Sequence, residues 1–259
     1  MILDRIVAAK RARNLNRPSV SLDALLSDAL TVPHARSLAY AIENPDREWP
    51  HVIAEFKRRS PSAGSLQPNA DPSKFAALYA KNGARAMSIL TDEPFFGGRL
   101  MDIAGSGATI PILRKDFLLD ERDVVESRLA GADAVLLIVR ILPAEDLRRL
   151  LALTHQLGMD ALVETHHTRE IELALAEGAR IIGINHRDLD TLKIDLSLSK
   201  DARKQVGPEG ILVGESGIHT RADVEKMRAA EVDAILVGEA ILRAESPAHA
   251  LSELIRPCS

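Results

Sequence analysis

Glu55 and Lys57 stand two residues apart at the end of the apolar run Val52 to Phe56. In a β-strand that spacing puts both side chains on one face. Other apolar runs close in the same way, on Arg114-Lys115-Asp116-Phe117, Glu164, Asn185-His186-Arg187, Gly214-Glu215-Ser216-Gly217 and Gly238-Glu239. Ionised groups at the ends of core strands are costly unless each has a partner or a ligand. Two lysines and two or three carboxylates in one partly dry cavity shift one another's proton affinities, which suits general acid and general base roles. A purely structural use of the same charges would pair Glu55 with Lys57 or Lys115, and Glu164 or Glu215 with Arg187. Gly217 and Gly238 can let the backbone approach a ligand, and Glu239 to Arg243 is expected to start a short phosphate-binding helix. Tight turns are the plainer reading of those glycines. Ser60 and Ser216 add hydroxyl donors.

The residues that could do chemistry need elements to bring them together. Apolar runs at Val52 to Phe56, Ala86 to Leu90, Ile110 to Leu113, Ala134 to Val139, Ala161 to Val163, Ile181 to Ile184, Ile211 to Val213 and Ala234 to Val237 read as eight strands. Their spacing of roughly 20 to 35 residues is that of a βα unit with a helical crossover. Asp71-Pro72, Asp120, Pro143 and Thr220 are expected to open helices, and Gly83, Gly131 and Gly178 to end them. The stretches Gly83 to Ala86, Gly131 to Ala134, Gly178 to Ile181 and Glu231 to Ala234 echo one another and lead into the even-numbered strands. Strands apolar on both faces in eight βα units predict a single (β/α)8 barrel, whose active site lies at the C-terminal strand ends. An open doubly wound sheet is the poorer fit, because the first strand lacks a Gly-rich phosphate turn. Residues 1–50 read as a helical extension packed on the barrel, with helices over Met1 to Arg13 and Leu22 to Leu30 and a break at Asn44, Pro45, Asp46 and Pro50.

Composition narrows the function. The chain has 259 residues, of which 46% are hydrophobic and 27% charged. It therefore has the make-up of a globular protein. The longest apolar run, Ala134 to Leu142, contains Arg140 and falls short of a membrane span. A net charge of -4 and an aromatic content of 3% argue against nucleic-acid or anionic-membrane partners. Asp4, Arg5, Lys10, Arg11 and Arg13 break up any secretory apolar segment, and the lone Cys258 cannot form an internal disulfide. A cytoplasmic monomer acting on a small molecule is expected.

Several motifs fail. Gly214-Glu215-Ser216-Gly217-Ile218 has isoleucine where a nucleophile elbow needs its last glycine, and Gly105-Ser106-Gly107 lacks the third glycine of a dinucleotide fingerprint. His166-His167 lacks the i, i+4 spacing of a zincin, so both histidines are expected on a solvated loop and no metal is expected.

The motifs Ile53 to Gly64, Leu90 to Gly98, Leu113 to Phe117, Leu162 to Glu164, Gly183-Ile184-Asn185 with Arg187, Gly214 to Gly217 and Val237 to Glu239 together resemble indole-3-glycerol-phosphate synthases over essentially the whole chain. The resemblance implies a carboxy-lyase of tryptophan biosynthesis, with the N-terminal helices over the barrel mouth. Such an enzyme closes the indole ring of 1-(2-carboxyphenylamino)-1-deoxyribulose 5-phosphate, losing carbon dioxide and water, with no cofactor. It implies Lys115 as the general acid at the ketone and Glu164 in the later proton transfers. Lys57 would hold the substrate carboxylate and could act in a later step, so the division of labour between the lysines stays open. Glu55 and Asn185 would position the amine and hydroxyls, with Glu215 as a further contact and Arg187 pairing with carboxylates. Phe117 and Pro61 would pack on the aromatic ring, and Ser60, Ser216, Gly217, Gly238 and Glu239 would line the phosphate site. His186, Asp188 and Arg140 depart from the family's usual pattern. A sugar-phosphate isomerase barrel is the enzymatic alternative, disfavoured because the related phosphoribosylanthranilate isomerases use a cysteine and the only one here is Cys258. A non-catalytic phosphate-binding barrel would not need Lys57, Lys115 and Glu164 together.

Overall fold

The computed structural model describes residues 2–43, 49–62, 64–188 and 190–256. Eight parallel strands close into a barrel: β1 (His51–Phe56), β2 (Ala86–Leu90), β3 (Ile112–Lys115), β4 (Ala134–Ile138), β5 (Asp160–Thr165), β6 (Ile181–Asn185), β7 (Ile211–Glu215) and β8 (Ala234–Val237). The ring closes where His51 pairs with Ala234 of β8 while Ile53 pairs with Ala86 of β2. Ile53, Ala86, Leu113, Ala134, Leu162, Ile181, Ile211 and Ala234 belong to one buried cluster inside the ring. The chain is thus a (β/α)8 barrel, as its strand spacing predicts.

Four strands run further toward their C-termini than their apolar residues suggest. β3 ends at Lys115, β5 at Thr165, β6 at Asn185 and β7 at Glu215. At each of them a polar residue just past the apolar run continues the ladder. β3 also starts two residues late, at Ile112, after Pro111, which has no N–H for the ladder although its carbonyl accepts from Met87 N at 2.9 Å. Within β3, Arg114 is buried outside the barrel, where it donates to Asp116 at 2.7 Å, Ser127 at 3.0 Å and the Asp123 carbonyl at 2.9 Å. β4 stops at Ile138, and Val139–Ile141 turns into a 3-10 helix.

The helices begin where capping residues predict. Asp71 caps α4 (Pro72–Lys81), Asp120 caps α7 (Glu121–Leu129) and Thr220 forms a capping box with Asp223 at α11 (Arg221–Ala229). α8 (Ala144–Gln156) follows Pro143. Gly83, Gly131 and Gly178 lie one residue beyond the caps Asn82, Ala130 and Glu177, all at positive φ. The echo before the even strands has a physical basis at two of its copies. Asp133 and Asp233 each accept from the first turn-in of the neighbouring strand, at Ile112 N (2.8 Å) and Leu212 N (2.7 Å).

The N-terminal extension runs from one end of the barrel to the other. α1 (Ile2–Leu15) puts Ile2, Leu3 and Ile6 over the mouth. Its buried stripe is completed by Lys10, 2% exposed, whose Nζ lies 3.2 Å from Asp116 and 3.1 Å from Asp123. α2 (Leu22–Ala29) packs on α7. A third helix that the sequence pattern does not reveal, α3 (Leu38–Glu43), inserts Leu38, Ala39 and Ile42 into the interior cluster at the opposite end. Asp160 at the start of β5 anchors it, accepting from Ala39 N at 3.0 Å. The break at Asn44, Pro45 and Asp46 lies outside the described residues, as does Cys258. Two further departures lie at the mouth: a small antiparallel pair, Arg59–Ser60 with Gly64–Ser65, and the helices α5 (Glu93–Phe96) and α6 (Met101–Ser106) after β2. The remaining helices are α9 (Thr168–Ala176), α10 (Leu198–Val206), α12 (Glu239–Arg243) and α13 (Pro247–Ile255).

Candidate active site

The polar strand ends converge on a cavity of about 370 Å³ at the C-terminal mouth. Glu55, Lys57, Ser60, Pro61, Lys115, Phe117, Glu164, Asn185, Arg187, Glu215, Ser216, Gly217, Gly238 and Glu239 all line it. Its centre is Lys115, whose Nζ donates to Glu215 Oε2 and lies 3.5 Å from Glu164 Oε2. Lys57 pairs with Glu55 in the same layer. Asn185 donates to Glu164 Oε1 at 3.2 Å, and its own Oδ1 accepts from Arg187 N at 3.1 Å. Glu55 thus takes Lys57, as one pairing foresees, but Glu164 and Glu215 take Lys115 rather than Arg187. The barrel register explains the choice, because Glu164 and Glu215 point inward from β5 and β7, while Arg187 lies beyond the end of β6 with only its backbone tied to the cluster.

Two glycines make room for these carboxylates. A Cβ on Gly238 would fall 2.9 Å from the Glu55 Cβ, and one on Gly183 would meet the Glu215 carboxylate, 3.3 Å from its Cδ. The space beside Gly238 is therefore filled by Glu55, whose backbone carbonyl is also held by the Tyr79 hydroxyl at 2.9 Å. Glu215 is 1% exposed as a side chain. Burial and the nearby Glu164 carboxylate push it up to about 7, against the pull of Lys115. Burial alone would lower Lys115, but Glu215, Glu164 and Glu55 outweigh it and keep the ammonium protonated well above its ordinary range. Burial likewise opposes ionisation of Glu55, and Lys57 with Lys115 holds it below the ordinary carboxylate value. The cluster therefore holds a fixed cation beside a carboxylate that titrates near neutrality, which supports acid and base chemistry in one cavity.

The walls divide into an apolar side and a side rich in backbone donors. Phe117 and Phe96 meet with ring centroids 6.1 Å apart, near Pro61 and under Leu3 and Ile6 of α1. On the other side, Ser216 adopts a left-handed backbone with φ 65, followed by Gly217 at φ 76. A non-glycine residue in that conformation carries strain that the surroundings must impose. Here His186 does so: it is 1% exposed, and its Nδ1 lies 3.0 Å from the Ser216 carbonyl while its Nε2 meets Ser199 Oγ at 2.7 Å. Burial lowers its proton affinity, keeping it a neutral hydrogen-bonding group. Glu239 opens α12, and its carboxylate accepts from Arg243 Nε at 2.9 Å. Arg140 bonds Asp190 at 2.6 Å, and Asp188 accepts from Asp190 N and Thr191 N to shape the loop after β6.

Some site residues carry no chemical signal in the sequence. The roof from α1 and the walls at Leu90, Ile138, Leu192 and Leu236 are ordinary apolar residues. His167 is on the solvated loop expected for it, its side chain 60% exposed, but His166 is turned inward, 6% exposed, with Nε2 3.5 Å from Glu164 Oε1. The period-2 continuation of β5 from Leu162 through Glu164 is the one pattern that could have pointed to it. Among the described residues no group of three or more His, Cys, Asp or Glu side chains is arranged to hold a metal ion.

Comparison with known proteins gives the family. The family model described as indole-3-glycerol phosphate synthase matches residues 3–254. An indole-3-glycerol phosphate synthase of Dehalococcoides mccartyi is 44% identical over 98% of this chain and 100% of its own length. Indole-3-glycerol phosphate synthase 2 of Streptomyces coelicolor is 42% identical over 98% of both chains, and the Burkholderia vietnamiensis enzyme is 41% identical over the same shares. With a match that spans the barrel, the mouth and the N-terminal helices alike, the chain belongs to the indole-3-glycerol phosphate synthase family.

Proposed function

We propose that the cavity closes the indole ring of 1-(2-carboxyphenylamino)-1-deoxyribulose 5-phosphate, with release of carbon dioxide and water, using side chains of this chain alone. The observation that carries this reading is Lys115, a buried ammonium fixed between Glu164 and Glu215 at the centre of the mouth. A preorganised cation stabilises negative charge as it develops, because it need not reorganise at the moment of reaction. Lys115 polarises and protonates the ketone oxygen while the aromatic carbon attacks. Glu164, held by Asn185, serves the proton transfers that follow, including dehydration. Lys57 holds the substrate carboxylate and is available as an acid in the later step. Glu55 and Asn185 position the amine and hydroxyls, Glu215 adds a polar contact, and Arg187 pairs with carboxylate. The aromatic ring lies against Phe117 and Pro61. The phosphate takes Ser60, Ser216 and the backbone around Gly217, Gly238 and Glu239, in the region where many such barrels bind phosphate.

Residues 1–50 and the barrel are read as one domain, because α1 roofs the mouth whose wall includes β8. No described helix is long and apolar enough to cross a membrane. A cytoplasmic location is the reading that fits a biosynthetic enzyme family of this kind. The test is Glu164→Gln. A group acting chiefly in a transition state affects kcat more than KM, so kcat is expected to fall by a factor of about a hundred or more with KM within a few-fold of wild type. A change confined to KM would remove Glu164 from this role.

A further inference from the structure

Glu164 is flanked by a histidine that the steps above do not use. The His166 side chain is buried, and its Nε2 has no hydrogen-bond partner. Such an orphan costs free energy, and in a native structure it calls for a physical reason. Here the nitrogen points at Glu164 Oε1, 3.5 Å away. The other side of the ring is pinned. Glu170 Oε2 accepts from His166 N at 2.7 Å and lies 3.4 Å from Nδ1, while Glu170 Oε1 lies 3.2 Å from Nε2 of His167. The imidazole is therefore clamped between two carboxylates, one in the cavity and one outside it. Catalytic contacts of this length commonly tighten when substrate binds.

We propose that His166, oriented by Glu170, is a positioning residue that stores the proton Glu164 takes up and gives back. The proposal rests on the reading of Glu164 given above. In the charged imidazolium both ring N–H groups face carboxylates. When Glu164 has given its proton to the departing hydroxyl, Nε2–H passes to Glu164 Oε1, which leaves a neutral carboxyl and a neutral imidazole protonated at Nδ1. Before Glu164 takes the next proton from carbon, its own proton returns to Nε2, which frees the carboxylate to accept; Glu164 then carries the carbon's proton beside an imidazolium, as at the outset. Dehydration needs both events: the C–H bond breaks to Glu164, its electron pair becomes the C=C bond, and the C–O bond breaks as the protonated hydroxyl leaves as water, so the store is refilled within one turnover.

The groups facing the imidazole are Glu164 from β5, Glu170 from α9 with His167 ahead of it, and Glu215 from β7. Lys115 lies beyond Glu164, and Arg140 from the turn after β4 acts on Glu170. Burial disfavours the imidazolium, but Glu170, Glu164 and Glu215 together raise its proton affinity.

The experiment compares the pH dependence of kcat for wild type, His166→Gln, Glu170→Gln and Glu164→Gln, with indole product as the signal. Wild type is expected to lose kcat on an alkaline limb as His166 deprotonates. Glu170→Gln removes one stabilising carboxylate and should move that limb down by about one pH unit. His166→Gln, which can donate a hydrogen bond but carries no proton, should abolish the limb and lower kcat about tenfold with little change in KM. A limb left in place by both variants overturns the proposal, because a merely structural histidine would change stability or amplitude without moving it. Should His166→Gln fail to fold, the shift in Glu170→Gln decides alone. Normal turnover by Glu164→Gln would instead sink the reading of Glu164 on which the proposal depends.

Discussion

At the scale of single residues, Lys115 shows how one cation organises a site. Three carboxylates share two lysines in a buried layer, and Glu215 responds by holding a proton up to about pH 7. Its folded-state affinity lies above the ordinary carboxylate value. The associated stability is therefore fully present below about pH 4.5 and is lost as pH rises through about 7. Glu215→Gln imitates the protonated form, so its urea midpoint should fall less than that of wild type between about pH 5 and pH 8. Equal losses in the two proteins would contradict the assignment of this titration to Glu215. The residue types of this site are legible in the sequence, since Lys57, Lys115 and Glu164 end apolar runs. Their partners are not, because pairing depends on which strand ends face one another across the ring. For the same reason Gly238 reads as a turn residue and Gly183 as an ordinary strand position, although each is the space a neighbouring carboxylate needs.

At the scale of elements, the first helix is tied by buried charge to β3, the strand that carries Lys115. Lys10 joins Asp116 and Asp123, Arg17 joins Asp123, and Arg114 reaches Asp116 from within β3, next to Lys115. Burial works against the charge on both carboxylates, yet these cations hold Asp116 and Asp123 below the ordinary range. Lys10→Met keeps the length of the side chain and removes the charge. Breaking a buried pair on one side costs about 3 kcal/mol or more, and the lowered urea midpoint should be accompanied by a raised KM, since Ile2, Leu3 and Ile6 roof the cavity. Unchanged stability and KM would mean that α1 is held by its apolar residues alone. The helix itself is visible in the sequence from its apolar spacing. The burial of Lys10 is not, because a lysine on such a pattern counts as polar until its carboxylate partners, over 100 residues away, are known. α3 escapes notice for another reason: with six residues it is too short for periodicity to register.

At the scale of the whole molecule, the extension links both ends of the barrel. α1 covers the mouth where the charges converge, and α3 fills the opposite end with Leu38, Ala39 and Ile42. The (β/α)8 architecture is legible from strand spacing and capping residues because each is a local signal. How far each strand runs past its apolar residues is not, because there polar residues continue the ladder into the barrel mouth. That substitution of charge for apolar surface makes the mouth a site rather than part of the core, and Lys115 is its centre. The most direct test of the account is the fluorescence of indole product formed from 1-(2-carboxyphenylamino)-1-deoxyribulose 5-phosphate by wild type and Lys115→Ala, with EDTA present and no nucleotide. Wild type should form product, and Lys115→Ala, folded by circular dichroism, should be slower by a factor of about a thousand or more. Product at the wild-type rate from the variant, or none from folded wild type, would contradict it.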